Sequence, residues 1–146
     1  MCLAASHKDV KIAEKNITCY KILELCNDFY TGRLYKTPYM GALVPSHIIK
    51  GKQEWYAPRG TYWKKKTIYQ ISGRTKYMYR IEDGYIHTYA KLSAANARRE
   101  SLKLHSGKYY IFKCIIPKGA EYYEGLEPNG YKSYASECIK FVDKIK

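Results

Sequence analysis

The chain has 146 residues, a net charge of +13, and 17 tyrosines against three phenylalanines and two tryptophans. This length predicts one domain that buries a core of its own, and the lack of a long apolar run excludes a membrane-spanning helix. Five cysteines without an export signal predict free, mostly buried thiols in a cytoplasmic protein and exclude a disulfide-stapled scaffold.

The positive charge is concentrated in the middle of the chain. Residues 51–100 carry 11 basic and 4 acidic side chains, which is more than half of the net excess. A localised excess of this kind predicts attraction to a polyanion, whether a nucleotide, a nucleic acid or an acidic protein surface.

The predicted elements begin with an apolar strand and end with another. Strands are predicted where β-branched and aromatic residues lie between turn residues, at ITCYKILEL (17–25), QEWYA, TYWKKKTIYQI, TKYMYRI, KYYIFKCII (108–116) and ECIKFV (137–142). The clearest helix is AKLSAANARRE, from 90 to about 104, and SHIIKGKQ (46–53) is a weaker candidate. These elements predict a single α+β domain over 1–146, with one main helix packed on a twisted, mostly antiparallel sheet and with a loose N-terminus at 1–10.

The segment 55–81 contains no acidic residue, and the SGR turn at 72–74, between the strands TYWKKKTIYQI and TKYMYRI, predicts that the stretch 60–80 is a β-hairpin. The strand period places Arg74, Lys76 and Arg80 on one face and tyrosines on the other. Two interpretations stay open: a surface for phosphates and bases, or a half-buried hairpin with a solvated basic side.

A second candidate region is GYIHTYA, which precedes the predicted helix. Tyr85, His87 and Tyr89 share one strand face, and Thr88 or Ser93 is predicted to cap the helix. A helix N-terminus beside these rings suits a phosphate, although a His hydrogen-bonded within an aromatic layer is the plainer interpretation.

The predicted binding residues combine both regions. Arg98 and Arg99 either clamp a phosphate or complement the negative end of the helix dipole. The predicted phosphate-binding residues are Lys64, Lys65, Lys66, Arg74, Lys76, Arg80, His87, Arg98 and Arg99, and the predicted stacking rings are Trp55, Tyr62, Trp63 and Tyr85.

Several site types are missing from the sequence. The cysteines and histidines do not have zinc-ligand spacing, and no glycine-rich phosphate loop is present. Glu121 and Glu124 flank a Tyr-Tyr pair, where solvated turn acids are the default. We therefore expect no metal and no resident cofactor.

Three stretches carry a resemblance to a family. IAEKNITCYKIL (12–23), EDGYIHTYAKLSAANA (82–97) and KCIIPKGAEYYEGLEPNGYKSYASECIKFV (113–142) resemble a family of small uncharacterised proteins from phages and gut bacteria. The resemblance implies a phage or mobile-element context inside a bacterial host, and it implies no particular chemistry.

A more distant likeness is to the ADP-ribosyltransferase fold. Tyr20 stands where that fold has a basic residue on its first strand, and Gly84, Tyr85 and His87 match its glycine–aromatic segment. An enzyme of this type would use Tyr20, His87, Tyr89 and either Glu121 or Glu124 around a nicotinamide nucleotide. The likeness is at the level of the fold, which does not by itself specify an activity.

The function expected from the sequence is that of a basic, tyrosine-rich accessory protein of phage type. It would bind a nucleotide signal or a nucleic acid, in the manner of a sequestering counter-defence protein, without being an enzyme. An ADP-ribosyltransferase-like enzyme is the alternative, and an inhibitor that docks on an acidic host protein is the second. No membrane partner is expected, and the sequence offers no argument for or against a homodimer.

Overall fold

A computed structural model describes residues 3–5, 10–28, 32–38, 43–56, 68–72, 77–81, 85–104, 107–127 and 130–145. Thirteen strands are formed there: β1 Leu3–Ala5, β2 Lys11–Ile12, β3 Ile17–Asp28, β4 Gly32–Lys36, β5 Leu43–Val44, β6 Glu54–Tyr56, β7 Ile68–Ser72, β8 Tyr77–Ile81, β9 Ile86–Tyr89, β10 Lys108–Ile116, β11 Glu121–Leu126, β12 Lys132–Ser136 and β13 Cys138–Lys144. The described helices are α1, Ser46–Lys50, and α2, Leu92–Leu102.

The strands form one antiparallel sheet. Its main path runs β6-β13-β10-β3-β9-β12-β11-β1-β8-β7, while β2 pairs with β11 and β4 joins β3 to β5. Within this path β12 runs directly into β13, with Glu137 alone between them. Because β12 pairs with β9 and β13 pairs with β10, the chain closes β13, β10, β3, β9 and β12 into a ring.

The main core lies inside this ring. The strand period in β10 places Phe112, Cys114 and Ile116 on one face, and all three are buried in the same cluster as Ile86 of β9 and Tyr134 of β12. The cluster therefore contains side chains from opposite sides of the ring.

Helix α2 packs on the outer face. Its Ala94, Ala95 and Leu102 are buried with Ile22 of β3 and Ile111 of β10. The small alanine side chains allow the helix to lie close to the sheet. The helix begins three residues after β9 ends, and the chain returns at Lys108, which pairs with Leu25, so α2 and β3 run in the same direction.

The predicted fold class is wrong. The sequence suggested an α+β domain with one main helix at about 90–104, whereas the protein is a mostly antiparallel β-sheet with small helices. The helix is eleven residues long and covers only part of one face. The error arose because several strands, β1 and β11 among them, have no long apolar run of their own and take their place through pairing.

Part of the segment 1–10, which the sequence predicts to be loose, is described. Residues 3–5 form β1, which pairs with β11 on one side and with β8 on the other. In the described part of the chain, Cys19, Cys26, Cys114 and Cys138 are free thiols, as predicted. Across the same residues, no helix has the length and apolar character to cross a bilayer.

Candidate functional site

The ring has an open seam between β3 and β9. Strand β3 pairs with β10 over nine residues. Its backbone pairing with β9 is much shorter and consists of Tyr20 opposite Tyr89. Lys21 bridges the strands beyond that pair, because its Nζ donates a hydrogen bond of 2.8 Å to the backbone carbonyl of His87. A side chain thus makes a link that the backbone ladder does not.

Lys21 is a buried cation on the inner face of the seam. It shares that face with Cys19 and Leu23, since these positions alternate along β3. Burial lowers the pKa of Lys21 from 10.5 to about 8, although nearby Cys114, Cys19 and Glu127 partly oppose the shift. The same burial raises the pKa of the Cys19 thiol to about 12, so this thiol is a poor nucleophile.

Tyr89 connects the seam to a buried carboxylate. Its hydroxyl hydrogen-bonds the side chain of Glu127, which lies directly after β11. Burial, together with the charge of Glu127, raises the pKa of Tyr89 and keeps its hydroxyl protonated. The backbone of Tyr89 pairs with Ser133 of β12 on one side and with Tyr20 of β3 on the other.

The outer face of the seam carries a short row of three side chains, Tyr89, Tyr20 and Lys113, from neighbouring strands. Tyr20 pairs with Tyr89 on one side and with Lys113 of β10 on the other, and directly opposite residues point to the same face. Tyr20 and Lys113 are both half-buried. Asp143 of β13 stands opposite Lys113, and its carboxylate is ion-paired with Lys52 at 4.0 Å. The common face of Tyr20 and Lys113 is the one that α2 covers further along β3.

Helix α2 begins three residues after Tyr89, and its N-terminus has no side-chain cap. The N-cap residue is Lys91, and neither Thr88 nor Ser93 caps the helix as predicted. The first helical bond runs from the Ala95 N–H to the Lys91 carbonyl, so the N–H groups of residues 92–94 precede it. We call Tyr20, Lys113 and these three N–H groups the outer patch.

The structure does not describe most of the predicted basic residues. Lys64, Lys65, Lys66, Arg74 and Lys76, with the rings of Tyr62 and Trp63, fall outside the described residues. Arg80 lies in β8 with its backbone opposite Ala4, and its side chain is outside the described part.

The hairpin is also remote from His87 along the sheet. The strands β12, β11 and β1 separate β8 from β9. At about 4.8 Å per strand this is roughly 19 Å along the sheet. The hairpin strands therefore do not adjoin the segment that carries His87.

Two predicted stacking rings belong to the core. Trp55 is buried and packs against Phe141, with ring centroids 6.4 Å apart. Tyr85 is buried in an edge-to-face contact with Tyr123, at 5.4 Å. His87 is buried too, and its backbone carbonyl accepts the hydrogen bond from Lys21. None of these rings is exposed to a base.

The helix arginines and the glutamates of β11 have structural contacts. Arg99 Nε donates to the carbonyl of Tyr109 at 2.8 Å, which ties the end of α2 to β10. Arg98 also has an interaction partner. Glu124 is ion-paired with Lys132, and the hydrogen bond from Lys132 lowers the pKa of the Glu124 carboxyl. The backbone N–H of Glu121 donates to Glu137.

The residues brought together at the seam are therefore Tyr20, His87 and Tyr89, without Glu121 or Glu124. Sequence reasoning missed Lys21, Lys113 and Glu127. Lys21 carried a usable signal, because a lysine interrupts the apolar alternate positions of Cys19 and Leu23. No group of three or more His, Cys, Asp or Glu side chains that could hold a metal occurs among the described residues.

Comparison of the chain with protein-family models, with curated proteins and with solved structures finds no match.

Proposed function

We propose that the chain binds a phosphate-bearing ligand, a nucleotide or the end of a nucleic-acid strand, at the outer patch. The observation that carries the proposal is the position of α2. Its N-terminus has no side-chain cap and no acidic residue in its first turn, and its first residue, Leu92, packs against the same cluster as Tyr20, the residue paired with Lys113.

Each part of the outer patch suits one part of such a ligand. The N–H groups of a helix N-terminus carry a partial positive charge and donate hydrogen bonds to phosphate oxygens. Lys113 supplies a full positive charge in the same row. The half-buried ring of Tyr20 offers a flat face, and stacking of a base on a ring contributes about 1–3 kcal/mol.

The net charge supports the same class of ligand. At +13 the chain attracts anions over a distance of about a Debye length, and the segment 55–81 adds cations without any acid. In the context that the sequence resemblance implies, the ligand is a nucleotide signal of the host cell and the protein sequesters it. The proposal therefore assigns binding to the outer patch and attraction to the basic segment.

The first experiment identifies the ligand. Protein purified at low salt is checked for absorbance near 260 nm, and any bound compound is identified by mass spectrometry after denaturation. Calorimetric titration with AMP, ADP, ATP and a short single-stranded DNA follows. A protein that carries nothing and binds none of these at millimolar concentration contradicts the proposal.

A matched pair of lysine variants then locates the site. Lys113→Gln should weaken binding about tenfold, because it removes the charge in the row with Tyr20. Lys50→Gln makes the same charge change at an exposed position of α1 and should leave affinity within about twofold. Equal effects of both variants would show that net charge acts without a site at Lys113.

A second candidate is an ADP-ribosyltransferase-like reaction, which is favoured by the meeting of Tyr20, His87 and Tyr89 at one seam. The predicted glutamates are elsewhere, and the carboxylate beside Tyr89 is Glu127. Incubation with labelled NAD and a bacterial lysate tests this candidate. If neither nicotinamide release nor labelled protein is detected, the result would count against this candidate. It would leave the proposal of binding at the outer patch intact.

A further inference from the structure

The inner face of the sheet continues beyond the ring onto β11. Strand β12 closes the ring through its pairing with β9, and its other edge pairs with β11, which lies outside the ring. Tyr134 of β12 is buried in the main core, and the residue opposite it on β11 is Glu124. Because directly opposite residues point to the same face, Glu124 lies where the inner face leaves the core and meets solvent.

Two lysines converge on the carboxylate of Glu124. Lys132 of β12 lies 2.9 Å from Oε1, and Lys11 of β2 lies 3.7 Å from Oε2. The ammonium of Lys132 also lies 5.9 Å from the centroid of the Tyr134 ring. The hydrogen bond with Glu124 raises the pKa of Lys132, so this amine is charged at neutral pH. One carboxylate thus holds two cations in place, one on each neighbouring strand.

This cluster keeps an excess of positive charge and of hydrogen-bond donors. An ammonium has three N–H donors, and within the described ranges the ion-pair partner of both lysines is the single carboxylate of Glu124. The side chains of Lys11 and Lys132 are 47% and 48% exposed. A second carboxylate can therefore approach from the solvent side and bridge the two amines, as Glu124 does from the side of the sheet.

Apolar side chains border the charged cluster. Leu126 and Tyr122 alternate with Glu124 along β11 and share its face. Leu126 is 43% exposed and stands opposite Lys132, while the half-buried Tyr122 ring packs edge-to-face on Tyr134 at 6.0 Å. Charged groups beside exposed apolar area are typical of a protein–protein interface. We call Lys11, Tyr122, Glu124, Leu126 and Lys132 the β11 shelf.

We propose that the β11 shelf docks an acidic segment of another protein, with an Asp or Glu carboxylate between Lys11 and Lys132 and an apolar side chain on Leu126. A second copy of the chain does not fit, because two chains of charge +13 repel each other. A nucleic acid fits less well, because Glu124 stands between the two amines and repels the closely spaced phosphates of a strand.

The shelf is separate from the outer patch. Lys132 and Ser133 alternate along β12, and Ser133 stands opposite Tyr89 of the outer row. The two surfaces therefore lie on opposite faces of the sheet. The inference does not rest on phosphate binding, and either proposal can fail while the other holds.

Nuclear magnetic resonance titration of the full chain tests the docking surface. The probe is a short synthetic peptide of alternating Asp and Leu residues, compared with the same peptide carrying Asn for Asp and with an oligothymidylate of equal charge. The acidic peptide should shift the amide resonances of residues 11–12, 121–126 and 132–134 more than either comparison ligand. Absence of these shifts, or equal shifts with the Asn peptide or the oligothymidylate, would overturn the proposal.

A matched pair of lysine variants locates the contact. Lys103 of the C-terminal end of α2 is also ion-paired with a glutamate at 2.9 Å, and its side chain is 50% exposed. Lys132→Gln should weaken binding of the acidic peptide about fivefold, whereas Lys103→Gln should leave it within about twofold. Equal effects of the two variants would show that net charge acts without a site on the shelf.

A leucine pair tests the apolar part of the shelf. Leu126→Ser should weaken peptide binding about threefold, because it removes apolar area next to the cations. Leu104→Ser makes the same change at a position that is 90% exposed and lies beyond the end of α2. This control should bind as the wild type does. Unchanged binding in Leu126→Ser would contradict an apolar contact at this residue.

Discussion

The ammonium of Lys21 donates a hydrogen bond of 2.8 Å to the backbone carbonyl of His87, across the seam between β3 and β9. A buried charge on the apolar side of a strand is costly, and burial lowers its pKa to about 8. The contact satisfies a carbonyl that faces away from the regular ladder. The seam is thus held by a group that titrates close to neutral pH.

The first prediction concerns the pH dependence of stability. The folded chain releases the Lys21 proton near pH 8, while the unfolded chain holds it to pH 10.5. Because the unfolded state then binds more protons, the contribution of this group to the free energy of unfolding increases as the pH rises through this range. The Lys21→Met variant lacks this titrating group, so its stability does not contain this pH-dependent contribution. From pH 8 to 9, the wild type should therefore gain about 1 kcal/mol relative to the variant.

Urea unfolding of both proteins at pH 8.0, 8.5 and 9.0 measures the difference. The thiols of Cys19, Cys114 and Cys138, whose pKa values are all raised by burial, lower stability above pH 9 in both proteins. Their effect cancels in the comparison. A difference that stays constant with pH would show that Lys21 is not buried as a cation.

The second prediction separates the two tyrosines of the seam. Tyr89→Phe removes the hydroxyl that bonds the buried Glu127, and loss of one partner of a buried pair costs about 1–3 kcal/mol. Tyr20→Phe changes a half-buried position and should cost less than about 0.5 kcal/mol. Chemical denaturation at pH 7 compares them. Equal losses would remove the role assigned to the Tyr89–Glu127 contact.

The third prediction compares two buried serines of β12. Ser133 Oγ donates to the carbonyl of Tyr131 at 3.3 Å, whereas Ser136 Oγ is buried without a hydrogen-bond partner in the described structure. Ser136→Ala should therefore keep or raise stability, and Ser133→Ala should lower it by about 1 kcal/mol. The melting temperatures of the two variants give the order. The reverse order would mean that the Ser136 hydroxyl is bonded.

The sequence predicted the local elements well where side-chain pattern alone decides them. The strand KYYIFKCII was expected at 108–116, and β10 has those bounds, because a run of β-branched and aromatic residues buried on one face has few alternatives. The antiparallel hairpin at β7 and β8 was also expected, and its strands pair as Ser72 to Tyr77 through Ile68 to Ile81.

The sequence did not predict how these strands join. Strand β1 has the residues LAA, which have no strand pattern and take their conformation from the strands on either side. The row from Tyr89 through Tyr20 to Lys113 joins residues that are up to 93 positions apart in the chain, so spacing could not reveal it. Binding residues were sought where charge is dense, and density along the chain does not report position in the sheet.

The most direct test of the proposed site changes the charge at either end of one helix. Ser93→Asp places a carboxylate in the first turn of α2, where it interacts favourably with the helix dipole and competes with a bound phosphate. Ser101→Asp makes the same substitution at an exposed position in the last turn. Both variants are titrated calorimetrically with inorganic pyrophosphate and with ATP at one salt concentration. The account predicts at least a tenfold loss of affinity in Ser93→Asp, without loss of stability, and a change within about twofold in Ser101→Asp. Equal affinities of both variants and the wild type would contradict binding at the outer patch.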